Sequence, residues 1–246
     1  MQPQILAALQ EARSRRQPVV LATRLGDGKE ALVFADRAIG ELAQDQEVLS
    51  YARIVLGGEK SRTTGTGGGP VFLHAFSPPP RLIVVGAVHI AQALVPMASM
   101  AGYDITVVDP RRAFSSDERF PGVSVSRDWP DEAMAALKPD SGTAVVTLTH
   151  DPKLDDPALE AALKSDCFYI GALGSRKTAE KRQARLTELG FGAADFARIH
   201  GPVGLSIGAL SPAEIAISIL AQITQVRRQD FNRDGTRAAP GEGKAA

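Results

Sequence analysis

After three consecutive prolines, Pro78-Pro79-Pro80, the chain alternates short apolar runs with stretches of helical period, and this alternation constrains its fold more than any other feature. RLIVVG (81–86), DITVVD (104–109), GVSV (122–125), TAVVTLT (143–149) and CFYIGA (167–172) each read as a strand. Helical patterns separate them: from about His89 to Ala101, from Asp131, from near Asp156-Pro157, and from Arg176 to Leu189. Asp156-Pro157 pairs an acidic N-cap with proline at the first helical position. Ser211-Pro212-Ala213-Glu214 is a capping box opening a last long helix, with Ile215, Ile219, Ile223 and Val226 on one face. Near-continuous apolar strands require helices on both sheet faces. With right-handed crossovers, the economical topology is a Rossmann-like, doubly wound parallel sheet.

The first third reads differently. A helix over Pro3 to Arg15 places Ile5, Leu6, Leu9 and Ala12 on one face. PVVLATRL and KEALVFA flank the turn signal Gly26-Asp27-Gly28 as a strand and its return. A second helix is expected from about Glu41 to Val55, then a flexible Gly-, Ser- and Thr-rich loop from Gly57 to Pro70, then a final strand, VFLHAF. The expected organisation is therefore a small N-terminal α/β domain (1–76), a stiff proline linker (77–80), a Rossmann-like domain (81–228) and a disordered tail (229–246).

Composition removes several classes of function. Lys plus Arg number 28 and Asp plus Glu number 28, so there is no net charge to drive nonspecific nucleic-acid binding. The single cysteine, Cys167, permits no internal disulfide and points to a reducing cytoplasm; it opens a buried strand and reads as packing. At the N-terminus apolar residues precede the arginines, the reverse of a secretory signal. Apolar runs fall far short of the roughly 20 residues a membrane helix needs. There is no Walker loop, no zinc-ligand spacing and no nucleophile elbow.

In a doubly wound sheet ligands bind at the carboxyl ends of the strands, and the unusual residues gather there. Gly86-Ala87-Val88-His89-Ile90-Ala91 stands where a dinucleotide fingerprint would stand, but Val88 replaces the glycine that lets a pyrophosphate approach. It is either a modified nucleotide turn or a plain strand-to-helix turn. Asp109 ends the second strand where an acid would hold a ribose hydroxyl, and Arg111 and Arg112 follow as phosphate-binding cations or as solvated loop charges. His150 and Asp151 close the fourth strand and could orient a ligand or exchange a proton, or be structural. Gly174, Ser175, Arg176 and Lys177 open a helix, where backbone N–H groups and cations favour an anion. Gly204 lies among the glycines of HGPVGLSIG (200–208), either a backbone close to ligand or a turn placing the last helix. No residue is assigned a catalytic or metal-ligating role.

Together GAVHIAQAL (86–94), ITVVDPR (105–111), ERFPG (118–122), VVTLTHD (145–151), YIGALGSRKT (169–178) and IHGPVGLSIGALSPAEIAISILAQI (199–223) resemble the xanthine dehydrogenase accessory protein (XdhC/CoxI) family, in order through residues 81–226. The resemblance implies a chaperone that binds the molybdenum cofactor (molybdopterin), shields it during sulfuration and delivers it to a molybdenum hydroxylase apoenzyme. It also implies a homodimer and contact with a cysteine desulfurase. The chain departs from the family in having GAVH where GAGH is usual, and in a short N-terminal region without a GGC-type segment. Two other readings use the same crevice: an NAD(P)-dependent oxidoreductase, and a non-catalytic scaffold for a partner enzyme.

Overall fold

The computed structural model describes residues 1–58 and 60–228; the expected disordered tail lies outside them. The chain divides into two compact units, one containing Met1–Pro78 and one spanning Pro79–Arg227.

In the first unit, α1 (Pro3–Ser14) precedes β1 (Val19–Arg24), β2 (Glu30–Val33), β3 (Ala38–Gly40), α2 (Gln46–Gly58), β4 (Arg62–Thr66) and β5 (Gly69–Phe76). The five strands form a sheet in the order β3-β2-β1-β5-β4, antiparallel at every pairing. Alternation along β1 feeds two cores: Val20 and Ala22 pack under α2, while Val19 and Leu21 pack under α1. Three expectations need correction. Leu6 is exposed, because the buried stripe of α1 is Ile5, Leu9 and Ala12. The second helix starts at Gln46, after β3, where the Asp45 carboxylate accepts from the Val48 N–H. The Gly57–Pro70 segment is not simply a loop: Arg62–Thr66 pairs with β5 across the turn at Gly67-Gly68, because Thr-rich sequence suits a pleated edge.

In the second unit come β6 (Arg81–Val85), α3 (His89–Met100), β7 (Asp104–Val108), β8 (Ser124–Ser126), α4 (Pro130–Leu137), β9 (Thr143–Thr147), α5 (Pro152–Leu163), β10 (Tyr169–Ala172), α6 (Arg176–Glu188), α7 (Ala193–Phe196), β11 (Ile199–His200) and α8 (Pro212–Arg228). The sheet order is β11-β10-β9-β6-β7-β8, and every pair is parallel. Numbered along the chain within this sheet, it is the 3-2-1-4-5-6 order of a doubly wound nucleotide-binding fold. Leu82 and Val84 of β6 join the core beneath α3 and α8, while Ile83 and Val85 join the core beneath α4, α5 and α6. Each such residue, fully buried, contributes about 1.5–3 kcal/mol.

Two features differ from expectation. The fifth helix begins at Pro152, not at Pro157, because Asp151-Pro152 carries the same acid-proline signature one turn earlier and Asp151 accepts from the Lys153 N–H. The short edge strand β11 has no signal strong enough to be read from two residues. Pro96 sits inside α3 on its exposed side, where water can meet the carbonyl it leaves unpaired.

Candidate functional site

Strand order decides which loops can share a ligand. The chain leaves β6 in one direction for β7 and in the other for β9, so the topological switch point lies between β6 and β9. Along the carboxyl edge the turns therefore run from Asp109, through Gly86, through Thr149–Asp151 and Gly174, to His200–Gly204.

Gly86 is buried at φ +109°, and a Cβ there would lie 2.5 Å from Thr149 Cγ2. Glycine is thus required both by conformation and by the approach of the β9 turn. Val88 is the N-cap of α3 and packs against the α3/α8 core. His89, the first helical residue, is exposed. Asp109 is wholly buried and reaches back to accept from the Ala87 N–H at 2.8 Å. Its carboxylate also pairs with Arg111, whose Nη2 lies 2.8 Å away. Burial pushes the Asp109 carboxyl up, but the Arg111 guanidinium and the Ala87 and Arg111 amides outweigh it and hold the group below the ordinary carboxylate range.

Across the switch point, His150 is exposed at φ +64°, an uncommon conformation for a non-glycine residue. Asp151 caps α5. The carboxylates of Asp151 and Asp155 act on the charge of Arg111, so Gly86, Asp109, Arg111 and the Thr149–Asp151 turn belong to one neighbourhood. At the end of β10, Gly174 has φ +135° and a Cβ would meet Thr178. Ser175 caps α6 by accepting from the Thr178 N–H, and Arg176 and Lys177 are exposed in the first turn. Gly204 is set apart from these: it lies against Ser218 of α8, and its N–H donates to Gln222 Oε1.

Sequence reasoning missed the group beneath the β9 and β10 turns. Asp155 and Arg182 are almost wholly buried, 3.7 Å apart. Asp155 accepts from Thr149 Oγ1 at 2.7 Å, and Arg182 donates to the Leu173 carbonyl at 2.9 Å, so the pair ties one ligand loop to the next. Burial raises the Asp155 pKa and lowers that of Arg182. The available signal was a charge on each helix's buried stripe: Asp155 with Ala158, Leu159 and Ala162, and Arg182 with Leu186. A second missed group is His200, half-buried and stacked on Tyr169 with ring centroids 4.7 Å apart. Burial lowers its pKa. Tyr169 in turn donates to Gln222.

Residues 82–223 match the family model described as the XdhC Rossmann domain. The chain belongs to this family. Its XdhC domain also aligns with named relatives. A protein described as uncharacterized, YqeB of Escherichia coli K12, is 30% identical over 208 residues, 82% of this chain and 38% of YqeB. The molybdenum cofactor insertion chaperone PaoD of the same organism is 34% identical over 152 residues, 62% of this chain and 42% of PaoD. A protein of Bacillus subtilis named as a probable xanthine dehydrogenase component is 31% identical over 160 residues, 65% of this chain and 46% of that protein. The chain thus spans less than half the length of these curated relatives. Among solved structures, a protein described as a xanthine dehydrogenase from Bacillus halodurans matches with a TM-score of 0.70 and 27% identity, over 92% of this chain and 67% of that one. Among the described residues no helix is long and apolar enough to cross a membrane.

Proposed function

We propose that the carboxyl edge of this XdhC domain binds the molybdenum cofactor, and that the chain shields it and aids its insertion into a hydroxylase of the xanthine dehydrogenase type. The observation that carries this reading is the start of α6. There Gly174 and Ser175 open a helix N-terminus flanked by the exposed cations Arg176 and Lys177, beside the switch-point crevice. A phosphorylated pterin needs such an anion cradle, and helix-end N–H groups with nearby cations provide one. These residues fit the phosphate end of the cofactor. When bound, the cofactor would supply the molybdenum chemistry of the recipient enzyme; this chain's residues orient it and keep it from water.

His89, His150 and Asp151 are the proposed neighbours of the ligand along the same edge, and Gly86 and Gly204 its backbone approaches. The kinship with PaoD supports the insertion role. The partners in this reading are a hydroxylase apoenzyme, a cysteine desulfurase and a second copy of the chain, acting in the cytoplasm. The sheet order would equally suit a dinucleotide, but the complete engagement of Asp109 within the protein disfavours it. The test is reconstitution: a cofactor-free molybdenum hydroxylase is activated with limiting cofactor, with and without this chain. A higher yield of active enzyme that falls with Arg176→Ala/Lys177→Ala supports the proposal. No effect of the chain on yield or rate contradicts it.

A further inference from the structure

An acid at the end of the second strand of a nucleotide-binding sheet accepts hydrogen bonds from a ribose diol. Asp109 occupies that position with its carboxylate already engaged. Oδ1 accepts from the Arg111 backbone N–H at 3.0 Å and from Arg111 Nε at 2.9 Å. Oδ2 accepts from the Ala87 N–H and from Arg111 Nη2, each at 2.8 Å. An ionised carboxylate has about four lone-pair sites, and these donors fill them. The group is wholly buried, so a ribose would have to displace a bidentate guanidinium to reach it. The Ala87 amide, next to Gly86 in the fingerprint turn, is turned to the carboxylate and is lost to a pyrophosphate as well.

Arg111 keeps its other edge. Its Nη1 makes no hydrogen bond among the described residues. The guanidinium lies over the Phe114 ring, 4.6 Å from the centroid, and the side chain is 36% exposed. The influence of Asp151 and Asp155 on its charge places it toward the switch point and not out in solvent. Held along one edge by a carboxylate and on one face by an aromatic ring, the fork is preorganised and loses little freedom on meeting an anion.

We infer that Asp109 is a positioning residue, and that Arg111 is the group that meets ligand at this end of the crevice. The pair accepts a phosphate-class oxyanion and excludes a ribose diol. This goes beyond the cofactor-chaperone reading and does not depend on it, since it concerns Arg111 and not the start of α6.

The experiment uses the full chain with 15N-labelled arginine and follows the Nε–Hε resonance of Arg111, identified by its loss in Arg111→Met. Inorganic phosphate is titrated at constant ionic strength, and adenosine, which carries the diol without phosphate, in parallel. Phosphate is expected to move the resonance and adenosine to leave it in place. In Asp109→Asn the phosphate response should weaken about tenfold, since a neutral amide cannot hold the fork. In Arg176→Ala/Lys177→Ala the response of Arg111 should persist, which separates this inference from the cradle at α6. An adenosine response without a phosphate response, or an unchanged phosphate affinity in Asp109→Asn, overturns it. The comparison of ligands in wild-type protein requires no variant, so a substitution that prevents folding leaves the test standing.

Discussion

The two halves of the parallel sheet's carboxyl edge handle charge in opposite ways. On the β7 side, Asp109 and Arg111 bind each other and the fingerprint turn, and only one edge of a guanidinium remains for a ligand. On the β10 side, Arg176 and Lys177 are exposed, while the buried charges Asp155 and Arg182 lie beneath the turns and tie them together. These sides are three strand spacings apart, about 14 Å, so one small oxyanion cannot meet both. The number of charges along the edge is therefore a poor guide to ligand: what matters is which groups the fold has already paired.

The largest expected effects come from breaking the support of the β10 side. Asp155→Ala leaves the Arg182 guanidinium buried and uncompensated, which should cost about 3 kcal/mol or more in a denaturant-unfolding experiment. Arg182→Met should cost less, about 1–2 kcal/mol, because an abandoned carboxyl can take up a proton whereas a guanidinium cannot release one. Equal losses in the two variants would mean that the pair is not the support described.

Next comes the joint between the halves. Gly86→Ala places a Cβ against Thr149 at a φ of +109°, and should destabilise the chain by about 1–3 kcal/mol. Amide spectra should show the change concentrated at the ends of β6 and β9. A neutral outcome would mean that the turns are not packed as described.

These sites mark where sequence was informative and where it was not. The order of strands and helices was legible from β6 to β10 because each strand is an apolar run set between helical periods. Strands β3, β4 and β11 were not, because an edge strand of two to five residues with polar or small side chains carries little period. Candidate residues were legible by position: Asp109, Arg111, Ser175 and Lys177 all lie on the carboxyl edge. Their partners were not. Nothing in the order Asp109-Pro110-Arg111 says that the acid turns inward to Ala87, and the pairing of Asp155 with Arg182 depends on α5 and α6 packing side by side.

Smaller effects are expected on the exposed side of the contrast. Arg176→Ala and Lys177→Ala should leave stability within about 0.5 kcal/mol, as for other exposed positions. Together they should still weaken cofactor binding about tenfold, the loss of one charge-assisted contact.

The smallest effect concerns pH. The folded-state pKa of Asp109 is lowered, so its contribution to stability is present above the unfolded carboxylate value, about 3.9, and is lost as pH falls through the folded value. Asp109→Asn should flatten the acid limb of the stability profile below about pH 4. Asp155, with its pKa raised by burial, should contribute in the opposite sense, its share present in acid and declining as pH rises.

The decisive measurement is an anaerobic equilibrium titration of the full chain with purified molybdenum cofactor, with NAD and NADP titrated in parallel. The cofactor is expected to bind, and to bind more weakly in Arg176→Ala/Lys177→Ala, while neither dinucleotide binds. Binding of NAD or NADP without binding of the cofactor would contradict the chaperone reading and make the crevice that of an oxidoreductase.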